Sequence, residues 1–174
     1  IMVTDWKMAS KAIRPMPVLH KDLNEETRVR QRYLDLMVRE EARELVKKRA
    51  LITRTVRRVL DEHGYVEVET PVLQLIHGGA TARPFRPHLN AFDQPMTMRI
   101  ATELPLKRAV VGGIERVYEI GRVFRNEGVD STHSPEFTTL ECYEAYADQF
   151  VMAERMKEII QSCAKAVGTE RIET

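Results

Sequence analysis

Two strand-like runs, Glu115 to Arg125 and Glu136 to Tyr146, are separated only by residues 126 to 135. So short a connection makes them partners in an antiparallel hairpin. Side chains alternate across a strand. Phe137, Thr139, Glu141, Tyr143 and Ala145 therefore point one way, and Thr138, Leu140, Cys142, Glu144 and Tyr146 the other. On the first strand Phe124 and Asn126 share one face, while Arg125 and Glu127 share the opposite one. With Arg125 and Glu127 on the Phe137 face, one surface holds a guanidinium, an aromatic ring and two carboxylates. A core would want aliphatic groups there, and a mid-strand carboxylate such as Glu141 is a poor strand former and costly to bury unpaired. A ligand with a flat ring at one end and a positive charge at the other accounts for that face.

The rest of the chain supplies helices around this hairpin. From Asn24, a plausible N-cap, NEETRVRQRYLDLM places Val29, Tyr33, Leu36 and Met37 at helical spacing. The strongest helix runs from Glu40 to His63 through Leu45, Ile52, Val56, Val59 and Leu60, and Gly64 stops it. A strand, YVEVET, follows directly and ends at Pro71. Residues 76 to 97 are expected to be mostly loop, with one short strand pair around Phe85 to Phe92. MRIA is a further short strand. A helix from about Glu103 to Val111 closes at Gly112-Gly113, and Gln149 to Val167 forms a last amphipathic helix through Met152, Met156, Ile159 and Ile160. The two prolines of RPMP disfavour helix, so residues 1 to about 20 read as a remnant and linker. The expected fold class is α+β: an antiparallel sheet flanked by helices.

Length and charge narrow the function. The 174 residues, 43% of them hydrophobic, are enough for one domain with a core. Lys plus Arg number 27 against 26 for Asp plus Glu, a formal charge of +1, so any RNA contact must be local. Cys142 and Cys163 have no metal-binding spacing and fit a reducing, cytoplasmic setting. No apolar run approaches the roughly 20 residues that span a bilayer, so no membrane partner is expected. The first residue, Ile1, suggests a chain cut from something longer.

The glycines fit neither the dinucleotide nor the P-loop spacing, and no zinc or nucleophile-elbow motif is present. A phosphate would have to be held by side chains. The plainer reading of each candidate stays open at this level. Arg125 could pair with Glu127 or Glu136 on the surface, Phe137 could belong to the core, His133 could be an ordinary loop histidine, and Glu103 could merely complement a helix dipole.

Taken together, several segments closely resemble the class II aminoacyl-tRNA synthetases, and within them the bacterial lysyl-tRNA synthetases. GYVEVETPVL resembles motif 1, a helix and strand at the dimer interface. FRNEGVDSTHSPEFTTLECY resembles motif 2, the hairpin that holds ATP. HGGATARPF, MRIATELPLKRAVVGGIERVYEIGR and RQRYLDL match the lysine-specific enzymes, and DWKMASKAIRPMP looks like the end of an anticodon-binding OB-fold domain. The resemblance implies two domain parts: 1–20, the OB-fold end and linker, and 21–174, the N-terminal part of the catalytic domain.

Carried over by position, the resemblance implies that Arg125 grips the α-phosphate of ATP and is the catalytic residue. Glu127 meets the adenine amino group, His133 lies near the outer phosphates, and Phe137 stacks on adenine. Glu103 and Glu141 receive the lysine ε-ammonium, Tyr143 adds a hydroxyl contact, and the backbone at Gly79 borders the amino-acid pocket. The implied reaction is ATP-dependent activation of L-lysine and its transfer to tRNA(Lys) by a cytoplasmic homodimer that uses Mg2+. Ser134 stands where the family most often has Asn. The chain ends at Thr174 before any segment like motif 3, and the acidic Mg2+ ligands also lie downstream in the family, so no metal ligand is assigned here and little activity is expected of these residues alone. The rival expectations are a paralogue that lysylates a protein, and a non-catalytic synthetase-like module that dimerises or binds RNA.

Overall fold

A computed structural model describes residues 2–18, 21 and 23–169. It divides into two compact units, Ile1–Leu51 and Ile52–Thr174. In the first unit residues 2–17 form no helix or strand. Residues 1, 19, 20 and 22, which fall within the expected linker and the start of the catalytic part, lie outside the described residues, as do 170–174.

The helix expected from Asn24 is two helices, α1 (Glu25–Arg30) and α2 (Arg32–Val38). Asn24 caps α1 by accepting the Thr27 N–H at 2.8 Å. Gln31, at φ −118 and ψ 57, breaks the run. The apolar stripe proposed for this segment is not its buried face: Val29, Tyr33 and Met37 are exposed, whereas Asp35 is 0% exposed. A carboxylate out of water needs compensation. Asp35 receives it from Arg32, from Arg39 at 2.9 Å and from Arg28 at 3.5 Å. Charge, not apolar periodicity, decided which way this segment faces.

α3 (Glu40–Glu62) ends as expected where Gly64 takes φ +76. The second unit is built on a three-stranded sheet in the order β1-β6-β7. Its hairpin pairs β6 (Arg116–Phe124) with β7 (Glu136–Glu144), from Arg116 opposite Glu144 to Phe124 opposite Glu136. The strand after α3 is shorter than YVEVET suggests. β1 is only Val66–Glu67, and it runs parallel to β6, so the sheet is mixed rather than wholly antiparallel. A parallel neighbour is possible because α4 and its flanking loops provide a long crossover between β1 and β6. Two small antiparallel pairs lie in that crossover. β2 (Leu73–Gln74) pairs with β5 (Thr97–Met98), and β3 (His88–Leu89) pairs with β4 (Gln94–Pro95). The pair expected near Phe85 to Phe92 thus forms a few residues later.

α4 spans Glu103–Val111, as the sequence predicted. α5 (Gln149–Ala166) is capped by Asp148, whose carboxylate accepts the Phe150 and Val151 N–H groups at 3.0 Å each. The core forms on one face of the hairpin, where Tyr118, with Ile120, Leu140 and Cys142 beside it, meets Val59 and Leu60 of α3, Tyr65, and Ile159 of α5. Ile159 is buried as expected, but Met156 and Ile160 are exposed. The other face carries Phe137 and Glu141 and also the buried Val117, Glu119 and Val123, so the candidate site lies at the margin of packed side chains.

Candidate active site

The hairpin register places Val117, Glu119, Gly121 and Val123 opposite Tyr143, Glu141, Thr139 and Phe137. Directly opposed residues share a face. Arg125, two positions beyond Val123 and tied to the opposite strand by its N–H to the Pro135 carbonyl at 2.8 Å, continues that face. The Arg125 guanidinium lies 5.1 Å from the centre of the Phe137 ring, within cation–π range. Its Nε donates to the Ile100 carbonyl at 3.3 Å. The surface pairings considered for Arg125 do not form. Glu136 faces Arg122 instead, at 3.6 Å, and Glu127 accepts the Arg83 N–H at 3.3 Å.

Arg125, Glu127, His133, Ser134 and Phe137 line one cavity of about 530 Å³, with Gly128, Asp130 and Thr132 closing it on the loop side. That volume suits a small-molecule ligand. The loop is organised by the Asp130 carboxylate. It accepts the N–H groups of Thr132 and His133 at 2.7 and 2.8 Å, the Thr132 hydroxyl at 2.9 Å, and His133 Nδ1 at 2.9 Å. These bonds, led by the Thr132 N–H and then the His133 ring, hold the carboxyl down to about 2. Ser134, the departure from the family pattern, donates to the Glu136 carbonyl at 3.0 Å.

The second group of expected residues gathers further along the same face. The Glu141 carboxylate accepts the Thr102 N–H at 2.8 Å and the Tyr143 hydroxyl at 2.9 Å. Burial, followed by this bond to Glu141, pushes the Tyr143 hydroxyl well above its ordinary value. Among the described residues no cation pairs with Glu141. Glu103, at the start of α4, receives the Lys107 ammonium at 2.7 Å, and the same ammonium lies 5.8 Å from the Tyr143 ring centre. The helix-start position suggested for Glu103 is real, yet its side chain also reaches this polar cluster. Gly79 has φ +86, and a Cβ there would stand 2.7 Å from Glu103 Cβ and 3.2 Å from Ala101 Cβ. Only glycine lets this backbone approach the carboxylate.

Sequence reasoning missed the ion pair beneath this cluster. Arg99 and Glu119, both 4% exposed, meet at 2.5 Å. Thr70 donates its hydroxyl to Glu119 at 2.6 Å, and Arg99 reaches the carbonyls of Thr70 and Arg122. Gly121 makes the space, since a Cβ there would lie 2.3 Å from Arg99 Nη2. The signal was available: Glu119 is a mid-strand carboxylate just as Glu141 is. What sequence could not supply was the register that sets the two acids opposite each other.

Among the described residues no cluster of three or more His, Cys, Asp or Glu side chains could hold a metal ion, and no helix is long and apolar enough to cross a membrane. Comparison with known proteins agrees with this architecture. The family model for class II tRNA synthetases (D, K and N) matches residues 24–174. A lysine--tRNA ligase of Kineococcus radiotolerans is 57% identical over 99% of this chain and 35% of its own length. One of Mycolicibacterium gilvum is 54% identical over 99% of the chain and 34% of its own length. The lysylphosphatidylglycerol biosynthesis bifunctional protein LysX of Mycobacterium avium is 54% identical over 98% of the chain and 15% of its length. The chain thus spans about a third of the ligases it matches.

Proposed function

This chain belongs to the class II tRNA synthetase family of the D, K and N type, and from that premise we propose that it forms the ATP- and lysine-binding part of an enzyme that activates L-lysine and transfers it to tRNA(Lys). The observation that carries the reading is the shared face of the hairpin. At one end a guanidinium stacks on an aromatic ring beside a cavity, and at the other a carboxylate without a cation is braced by a peptide N–H and a phenol. Activation is an attack by the lysine carboxylate on the α-phosphorus, which asks for positioning and charge neutralisation more than for a protein nucleophile.

In this reading Phe137 stacks on adenine and Glu127 accepts the adenine amino group. The Arg125 fork takes the α-phosphate, whose charge grows in the transition state, and His133 meets the outer phosphates. Glu141 and Glu103 receive the ε-ammonium, with Tyr143 and the Gly79 backbone bounding the pocket. A neutral amino acid would leave the Glu141 carboxylate without a cation, at a cost on the order of 1–3 kcal/mol, whereas Glu103 would keep Lys107. Mg2+ would accompany the nucleotide; the described residues offer it no ligand set.

The relatives are named for lysine in both cases, with tRNA in the ligases and phosphatidylglycerol in LysX; tRNA is the acceptor proposed here. A homodimer through the motif 1 helix and strand, a cytoplasmic setting, and an OB-fold end at residues 1–20 belong to the same proposal. Calorimetry of the chain with ATP and with L-lysine tests it. Binding of both is expected. Binding of neither would overturn the reading in favour of a non-catalytic module, and a parent enzyme that lysylates a protein but not tRNA would overturn the acceptor.

A further inference from the structure

Resting on the lysine reading above, we propose that the hydroxyls of Thr102 and Thr139 accept N–H groups of the guest's ε-ammonium and complete its coordination beside Glu141. Thr102 is 0% exposed, and its hydroxyl finds no hydrogen-bond partner among the described residues. Its position makes this unusual. Thr102 is the N-cap of α4, where a threonine oxygen ordinarily accepts an N–H of the first turn. Here the backbone stands at φ −103 and ψ 2 rather than extended, and the side chain makes no cap bond. A buried hydroxyl without a partner costs free energy, and the groups that relieve it come from outside the chain, as water or as a ligand.

The surroundings point to a ligand with N–H donors. The Thr102 N–H already donates to Glu141 at 2.8 Å, and covalent geometry keeps a threonine hydroxyl close to its own N–H, so Thr102 Oγ1 stands beside that carboxylate. Thr139 lies two positions before Glu141 on β7 and therefore on the same face. Its hydroxyl oxygen is likewise buried and unpartnered among the described residues, and opposite it stands Gly121, which has no side chain to offer. An alkyl ammonium carries three N–H donors and no acceptor. Glu141 already accepts one bond on each oxygen, from the Thr102 N–H and the Tyr143 hydroxyl, and Glu103 already holds Lys107. Glu141 supplies the opposite charge and one contact, and the two hydroxyls supply acceptors for the remaining donors. Being neutral, they add hydrogen bonds without adding negative charge to a pocket whose guest brings a single positive one.

Thr102→Val is the informative substitution, because valine keeps the branched shape and removes only the hydroxyl. Binding of L-lysine and of ATP is measured by calorimetry on the chain, and stability by urea unfolding. Lysine affinity is expected to fall about three- to tenfold with ATP affinity unchanged, while the urea midpoint stays or rises, since an unpartnered buried hydroxyl has been removed. Thr102→Ser, which keeps the hydroxyl, should retain most of the lysine affinity, and Thr139→Val should repeat the loss. Unchanged lysine affinity in Thr102→Val overturns the role, as for a hydroxyl that holds only water. A lower urea midpoint overturns it as well, because the hydroxyl then has a partner within the chain. A wild-type chain that binds ATP but not lysine overturns instead the lysine reading on which the role depends.

Discussion

Glu119 and Glu141 stand opposite each other on one face of the hairpin, and their partners give them different fates. Arg99 and Thr70 satisfy Glu119, whereas Glu141 has a peptide N–H and a phenol but no described cation. A charge-assisted bond is worth about 1.5–3 kcal/mol, so Glu141→Gln should weaken lysine binding roughly ten- to a hundredfold while leaving ATP nearly unchanged. Equal loss of both ligands in calorimetry would count against the assignment. Lys107 makes the opposite prediction. Its ammonium already rests on Glu103 and over Tyr143, in the place proposed for the guest's own ammonium. Helical pairs of this spacing are worth about 0.3–0.5 kcal/mol, so Lys107→Met should tighten lysine binding about twofold. Weaker binding would show that Lys107 helps the guest rather than competes with it. Asp130, held to about 2, has a depressed folded value. Its loop bonds should therefore persist above the ordinary carboxylate range and disappear only as the pH falls toward 2, which the Thr132 and His133 amide shifts would report.

At the scale of elements, the hairpin depends on a glycine whose importance is steric. Gly121→Ala would put a methyl group 2.3 Å from Arg99 Nη2 and 2.9 Å from Glu119 Oε1, forcing apart a pair that is 4% exposed on both sides. Disrupting a buried pair costs about 3–5 kcal/mol. A large fall in the urea midpoint is expected, whereas Gly128→Ala, with nothing within 4 Å of its added methyl, should leave the midpoint nearly unchanged. Equal midpoints for the two variants would show that the pair yields easily. The longer elements, α3, α4, the hairpin and α5, were readable from periodicity, caps and glycine stops because those signals are local. The segment after Asn24 departs from its apolar spacing. Its apolar spacing was real, but one buried carboxylate with three arginines outweighed it.

At the scale of the molecule, Leu73, Leu75 and Ile76 are exposed, and they line an apolar groove of about 530 Å³ with Leu104 and Pro105. The proposed homodimer would cover this segment, which directly follows Pro71. Sedimentation should show a dimer that Leu75→Ser with Ile76→Ser converts to monomer, and a wild-type chain monomeric at all concentrations would refute that interface. The candidate site has the same two-level origin as the fold. Alternation along a single strand determined, from sequence alone, that Phe137, Glu141 and Tyr143 share a face, because an extended backbone sends successive side chains to opposite sides whatever it pairs with. Only the tertiary structure decided that β1 joins β6 in parallel, that Arg99 takes Glu119 and not Glu141, and that Lys107 reaches Tyr143. Those choices depend on register and on which charges meet after distant segments pack, and no spacing within one segment encodes them.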